Sequence, residues 1–204
     1  TSGARPPLIN LLESDDPKTQ ELAASALRNL AVNDAIGLRM VDAGALIPLI
    51  DLLTSQDKKV VEQSAMCLRN LSPLQSNCER MVEEGIMGPL VSLLRSRDEK
   101  IQEQATAIVN TLSMANAENK ALVVEEGGLT PLINLLRSTN KRVQEETCIT
   151  LRNISANTDN QVKIVQRGAL PALIGLLHSS NAKLQEAATI TLRNCSMNSE
   201  NEVR

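Results

Sequence analysis

The sequence of 204 residues contains no phenylalanine, tyrosine or tryptophan. Aromatic rings normally supply much of a core's buried area, so the interior of this chain has to be aliphatic. Such a composition suits many thin helical layers of Leu, Ile, Val and Ala rather than one large central cluster of rings. Histidine occurs once, as His178, and the four cysteines, Cys67, Cys78, Cys148 and Cys195, fall at irregular spacings with no CxxC pair. That excludes a tetrahedral metal site with ordinary ligand spacing and leaves free thiols. There is no Gly-rich phosphate loop, no nucleophile elbow and no nucleophile–His–acid set, and His178 reads as a solvated turn residue after Leu177. The expectation is therefore no enzyme, no metal and no cofactor.

A strong excess of charge of one sign is also missing. A formal charge of −3 and a pI near 5.3 supply no basic field, which argues against nucleic acid or an anionic membrane as partner. The longest apolar stretches, such as 44–53, are far short of a membrane span and carry Pro and Asp. The N-terminus shows no basic-then-apolar signal pattern. With 42% apolar and 22% charged residues the chain reads as folded and soluble, and with no signal pattern the expected location is the cytoplasm, the nucleus being the second compartment.

What is present is self-similarity. Gly3, Gly44, Gly85, Gly127 and Gly168 are separated by 41, 41, 42 and 41 residues, and five residues after each begins LINLL, LIDLL, LVSLL, LINLL or LIGLL. A polar turn follows, then a longer segment such as KTQELAASALRNLA with apolar residues three and four apart, which is a helical period. Asp16, Asp57, Asp98, Asn140 and Asn181 stand where an N-cap belongs, and Pro17 occupies a first helical position, where its missing N–H costs nothing. A shorter helix, over 77–84, 119–126 and 160–167, ends at the next glycine, which permits a left-handed C-cap. No such three-helix unit can bury its faces alone, so neighbouring units must complete each layer. Cys67, Cys148 and Cys195 fall where sister repeats carry Ala, Ile, Thr or Leu, as small core filler does.

The run GALIPLIDLL at 44–53, the run ALRNL at 26–30 and the period of about 41 resemble the armadillo repeat, and the resemblance covers essentially the whole chain. HEAT and tetratricopeptide repeats fit less well. The resemblance implies an all-α, right-handed superhelix of about five three-helix repeats in a single domain, 1–204. The repeats are read as 1–32 (incomplete), 33–75, 76–117, 118–158 and 159–199, with 200–204 opening another. Such ends would expose apolar layers, through which the piece can self-associate.

Register on the long helices comes from Asn29, Asn70, Asn153 and Asn194, with Thr111 equivalent in the third copy and Asn110 slipped by one. At about 100° per residue, the residues 4, 7, 8 and 11 before the asparagine, and the one just before it, share one sector, while those 2, 5, 6 and 9 before it lie opposite and are mostly apolar. The asparagine sector is thus the exposed face, which in armadillo proteins lines a concave groove. It carries Lys18, Lys59, Lys100, Arg142 and Lys183 at eleven before, and Glu21, Glu62, Glu103, Glu145 and Glu186 at eight before. Ser25, Met66, Ala107, Ile149 and Ile190 stand at four before, and Arg28, Arg69, Asn110, Arg152 and Arg193 at one before.

The asparagine amides can hold a peptide backbone or tie their own helix to a neighbour. The Lys/Arg–Glu pairs read as i,i+3 pairs on one helix that neutralise one another. The arginines have no acid three or four residues before them, leaving guanidinium forks for carboxylates of a ligand or of a neighbouring repeat.

Importin-α-like grooves carry tryptophan four residues before the asparagine, and none occurs here. The residues at these positions are closer to β-catenin-like grooves, which take acidic, partly apolar extended segments. The runs NDAIGLRMVDAGALIPLI and NAENKALVVEEGGLTPLI also resemble plant U-box ligase repeats and the yeast vacuolar armadillo scaffold. The expected function is a scaffold or adaptor binding an extended acidic-aliphatic protein segment. The alternatives are the substrate-recognition segment of a larger ubiquitin ligase and an import adaptor for basic cargo. Slipped Asn110 and scattered cysteines read as natural drift rather than a designed consensus.

Overall fold

A computed structural model describes residues 5–201, and every regular element among them is helical. The chain forms two compact units, one running to Ile108 and the other starting at Val109. The first contains α1 (Arg5–Asn10), α2 (Pro17–Leu30), α3 (Asp34–Asp42), α4 (Leu46–Asp51), α5 (Lys58–Leu71), α6 (Gln75–Glu83), α7 (Met87–Leu93) and the start of α8 (Glu99–Ala115). The second takes the rest of α8, then α9 (Ala117–Glu125), α10 (Leu129–Leu135), α11 (Lys141–Ile154), α12 (Thr158–Gln166), α13 (Leu170–Leu176) and α14 (Ala182–Ser196). The order is short, middle, long, repeated, with the first short helix missing ahead of α1 among the described residues.

The punctuation follows from backbone chemistry. Gly44, Gly85, Gly127 and Gly168 all have φ between 77° and 80°, the left-handed region. At Gly85 the glycine N–H donates to the Val82 carbonyl at 3.0 Å and the following Ile86 N–H to the Met81 carbonyl at 3.1 Å. That pair of bonds is a Schellman ending, and it recurs at the other three glycines. Gly3, the first of the series in the sequence, lies outside the described residues.

Each long helix is opened by the expected cap. Asp16, Asp57, Asp98 and Asn140 each accept from two first-turn amides, and Asn181 accepts from Lys183. A serine two residues earlier accepts from each cap's own N–H at 3.1–3.2 Å, five times over. These serines, Ser14, Ser55, Ser96, Ser138 and Ser179, form a column in the sequence, a second tier beyond the caps that helical periodicity alone does not predict.

The interior is aliphatic. In the first unit Leu27, Leu49, Leu68 and Leu90 are fully buried, and α2 packs along α5. In the second, Leu132, Leu151, Ile154 and Leu173 are, and α11 packs along α14. Each contributes on the order of 1.5–3 kcal/mol of burial. The residue two before the asparagine is buried in α2, α5, α8 and α11 but only half-buried in α14, at Leu192. There a cavity of about 550 Å³ opens between Leu192, Val165, Leu170 and Leu177, the apolar side of the last layer.

All four cysteines are free and buried. Burial pushes the Cys67 and Cys148 thiols up to about 12 and Cys195 to about 11, and it also raises Cys78. This is the thiol chemistry of packing residues, not of nucleophiles.

Two predictions follow from this architecture. Gly85→Ala and Gly168→Ala meet no atom within 4 Å of the added Cβ, so the cost comes from positive φ alone. Each variant is expected to lose about 1–2 kcal/mol of unfolding free energy in urea titration. The thiols should resist a disulfide reagent at pH 8 in the folded chain and react at once in denaturant. Because the unfolded chain releases thiol protons above about pH 8.5 while the folded chain retains them, stability should fall as pH rises through 9 to 11.

A candidate peptide-binding face on the long helices

The opposition of faces derived from the asparagine register is what the structure shows. Residues six before the asparagine position, Ala23, Ser64, Ala105, Thr147 and Ala188, are all buried. Asn29 is exposed, and Asn70, Asn110, Thr111, Asn153 and Asn194 are half-buried at the surface. Four before, Ser25, Met66, Ile149 and Ile190 are half-buried and reachable, but Ala107 is only 7% exposed and offers no floor. Ser64 and Thr147 place hydroxyls in the apolar layer with no hydrogen-bond partner, where sister repeats have alanine.

The asparagine amides connect successive long helices. Asn70 Nδ2 donates to the Arg28 carbonyl at 3.1 Å. In the second unit Asn153 Nδ2 donates to Asn110 Oδ1 at 3.1 Å and lies 3.4 Å from Ser113 Oγ, while Asn194 Nδ2 donates to Ser155 Oγ at 3.0 Å. The tie to a neighbour is therefore real at each of these positions. An amide has two donors and two acceptor sites, so part of its capacity remains for a ligand.

The arginines are not uniformly free, contrary to the reading from their own helices. Arg28 donates to Gln63 Oε1 at 2.7 Å and to Asn29 Oδ1 at 3.0 Å, and Arg69 donates to Gln104 Oε1 at 2.9 Å. The partner in both cases is the residue seven before the asparagine position of the next repeat, 35 positions on. That hydrogen-bond partner is a neutral amide, and Arg69 also meets the carboxylate of the neighbouring repeat's Glu103 at 4.0 Å. The same rung recurs in the second unit with its chemistry changed: Asn110 Nδ2 donates to Glu146 Oε2 at 2.7 Å. At the next rung Arg152 faces the position of Ala187, which has no side-chain acceptor. Among the described residues no hydrogen bond or ion pair is found for the Arg152 guanidinium, and Arg193 reaches only Asn194 Oδ1 at 3.4 Å.

The Lys–Glu columns also pair mostly between repeats. Lys18 and Glu21 form the expected i,i+3 bridge at 2.7 Å. Lys100, however, pairs with Glu62 at 3.7 Å, and Lys183 with Glu145 at 3.1 Å, each reaching back one repeat. Their lysines are about three-quarters exposed, so each pair contributes at most a few tenths of a kcal/mol. Lys59 and Glu186 are exposed, and Arg142 is also on the surface.

Two further polar columns position this face. Gln20, Gln102, Gln144 and Gln185 donate back to carbonyls at or just beyond the end of their own middle helix, at 2.7–3.2 Å, satisfying groups a helix end leaves orphaned. Val61 replaces them in the second repeat. The buried Asn77, Asn119 and Asn160 donate to the Leu71, Leu112 and Ile154 carbonyls and lock each short helix to the long helix before it. Their signal in the sequence is an asparagine recurring at one offset in three repeats, with Ile36 at that offset in the first.

These features define a class, an all-helical repeat protein presenting a regular polar and aliphatic face. The chain belongs to the armadillo/beta-catenin-like repeat family, whose model matches residues 2–32, 38–72, 75–113, 116–156 and 157–197. As a family these repeats are protein-binding scaffolds. A search of curated proteins returns no match. Among solved structures, the designed armadillo repeat protein YIII(Dq)4CqI is 29% identical with a TM-score of 0.87, covering 95% of this chain and 82% of its own. A second design, YIII(Dq.V1)4CPAF in complex with the peptide (KR)4, is 28% identical with a TM-score of 0.85 and the same coverage. An engineered protein 33% identical, with a TM-score of 0.88, is matched over 95% of this chain and 48% of its own.

Among the described residues no cluster of His, Cys, Asp and Glu suited to a metal is found, and no helix is long and apolar enough to cross a membrane. If the rungs hold successive helices, Arg69→Ala and Gln104→Ala should each lose about 1 kcal/mol of stability. A double-mutant cycle should return a coupling near 1 kcal/mol, and additive losses would deny the rung.

Proposed function

We propose that the chain is a protein–protein interaction scaffold that takes an extended, acidic and aliphatic peptide on the exposed face of its long helices, running antiparallel to the repeats. The observation that carries this reading is in the second unit. Arg152 has no partner among the described residues and shares a helix face with half-buried Ile149, three residues earlier; Ile190 repeats that column on α14. A guanidinium fork beside branched aliphatic side chains fits a carboxylate followed by an apolar residue. Asn153 and Asn194 have remaining amide capacity for the peptide backbone.

The designed relative holding (KR)4 supports a peptide as the class of ligand. Its basic charge is the competing outcome for this chain. Against it, Glu145 is bridged to Lys183 and Glu146 accepts from Asn110, so a basic peptide must displace existing partners. The four free thiols favour a reducing compartment, which fits the cytoplasm and nucleus.

The test is anisotropy of two labelled octapeptides, (EL)4 and (KR)4. Tighter binding of (EL)4, weakening with added salt, is expected, and Arg152→Glu with Arg193→Glu should reduce affinity at least tenfold and flatten the salt dependence. Preference for (KR)4, or an unchanged affinity in the charge-reversed variant, would overturn the reading.

A further inference from the structure

The rungs differ in one residue, and that residue decides what the preceding side chain can do. Resting on the scaffold reading and deepening it, we propose that the position seven before each asparagine is a selector. A glutamine there withdraws the preceding arginine from ligands, and alanine at 187 releases Arg152 as the acid-recognising residue of the face.

Three rungs show the selector occupied. Gln63 and Gln104 accept from Arg28 and Arg69, and Glu146 accepts from Asn110. A guanidinium has five donors: Arg28 has four engaged, by Gln63, Met66 and Asn29, so a bidentate carboxylate there must displace a bond, and Arg69 commits Nη1 to Gln104 with the Glu103 carboxylate 4.0 Å away, which opposes a second acid. That handicap is worth roughly a factor of ten in affinity. Asn110 brings no cation, and the carboxylate of Glu146 beside it repels an acid. The fourth rung has only the Cβ of Ala187, which is 1% exposed. Arg152 thus stays at the surface with its fork unsatisfied, and binding a carboxylate there breaks no existing bond.

The change does not disturb the core. Ala187 is itself buried on α14, as are Ala188 and Leu184, and the tie from Asn194 to Ser155 holds α14 to the preceding repeat without the rung. Specificity is thereby set by a residue that need not touch the ligand, and the acidic preference is local to the second unit.

The experiment measures (EL)4 binding to the wild-type chain, Ala187→Gln, Arg152→Gln, the double variant and Gln63→Ala, with folding of each checked by circular dichroism melts. Ala187→Gln and Arg152→Gln should each weaken binding about tenfold, and the double variant should be no weaker than either alone, because both remove the same fork. Gln63→Ala should tighten binding by freeing Arg28 Nη1, while Nε and Nη2 stay on Asn29. Loss of binding in Arg152→Gln with no change in Ala187→Gln overturns the selector while sparing the scaffold reading. Absence of (EL)4 binding to the wild type overturns both. If Ala187→Gln does not fold, Gln63→Ala decides: unchanged affinity overturns the selector.

Discussion

Every feature of this protein depends on one constraint: a three-helix unit without aromatic residues cannot close its own core. Its long helix presents Ala, Leu, Val and Thr on the buried side, small enough that the next long helix lies close against it. Close approach fixes register, since a slip of one residue on either helix would carry the apolar column out of the layer. Register in turn places like side chains at like positions, so that polar contacts recur 35 to 43 positions apart. The polar face is a consequence of the aliphatic layer.

The parts of the fold that were legible in the sequence are those whose cause is local. Positive φ at Gly85 follows from a glycine at a helix end; the Asp57 cap follows from a short acceptor before an apolar-periodic segment. The burial of Ala65 and Leu68, and the exposure of Asn29, follow from angle alone. The ties were not legible, because their partners lie one repeat away. Reading Arg69 on its own helix finds no acid and calls the fork open, whereas Gln104 takes it from the following helix. Lys100 was assigned to Glu103 by spacing and reaches Glu62 instead. Angle assigns Ala107 to the face, but it is only 7% exposed, a depth that helical angle does not encode.

Polar satisfaction explains why the columns are so regular. Each three-helix repeat has six helix ends, and each end leaves carbonyls or amides without partners. The serine–aspartate tier, the back-reaching glutamine and the buried asparagine answer these one by one. Where a repeat deviates, the replacement is apolar in kind, as with Val61 in the glutamine column and Ile36 in the position of Asn77. A hydrocarbon there takes away the carbonyl's side-chain donor, and at Ile36 the Leu30 carbonyl accepts from the Asn33 N–H at 3.2 Å. Ser64 and Thr147 are the opposite case, hydroxyls introduced into a layer that has nothing to offer them.

This division between an apolar layer that sets register and polar ties that add to it gives the surface room to diverge. A tie on the face is part-exposed and worth about 1 kcal/mol, small against the several buried leucines of each layer. Losing one leaves the fold intact while changing which groups face outward. Arg152 differs from Arg69 in its partner alone: both follow a core leucine by one residue and precede an asparagine by one. Two arginines in the same Leu-Arg-Asn run therefore present different chemistry, the difference being written in the repeat that follows. In a stacked helical protein, the meaning of a surface residue has to be sought one repeat along the chain as well as one turn along the helix.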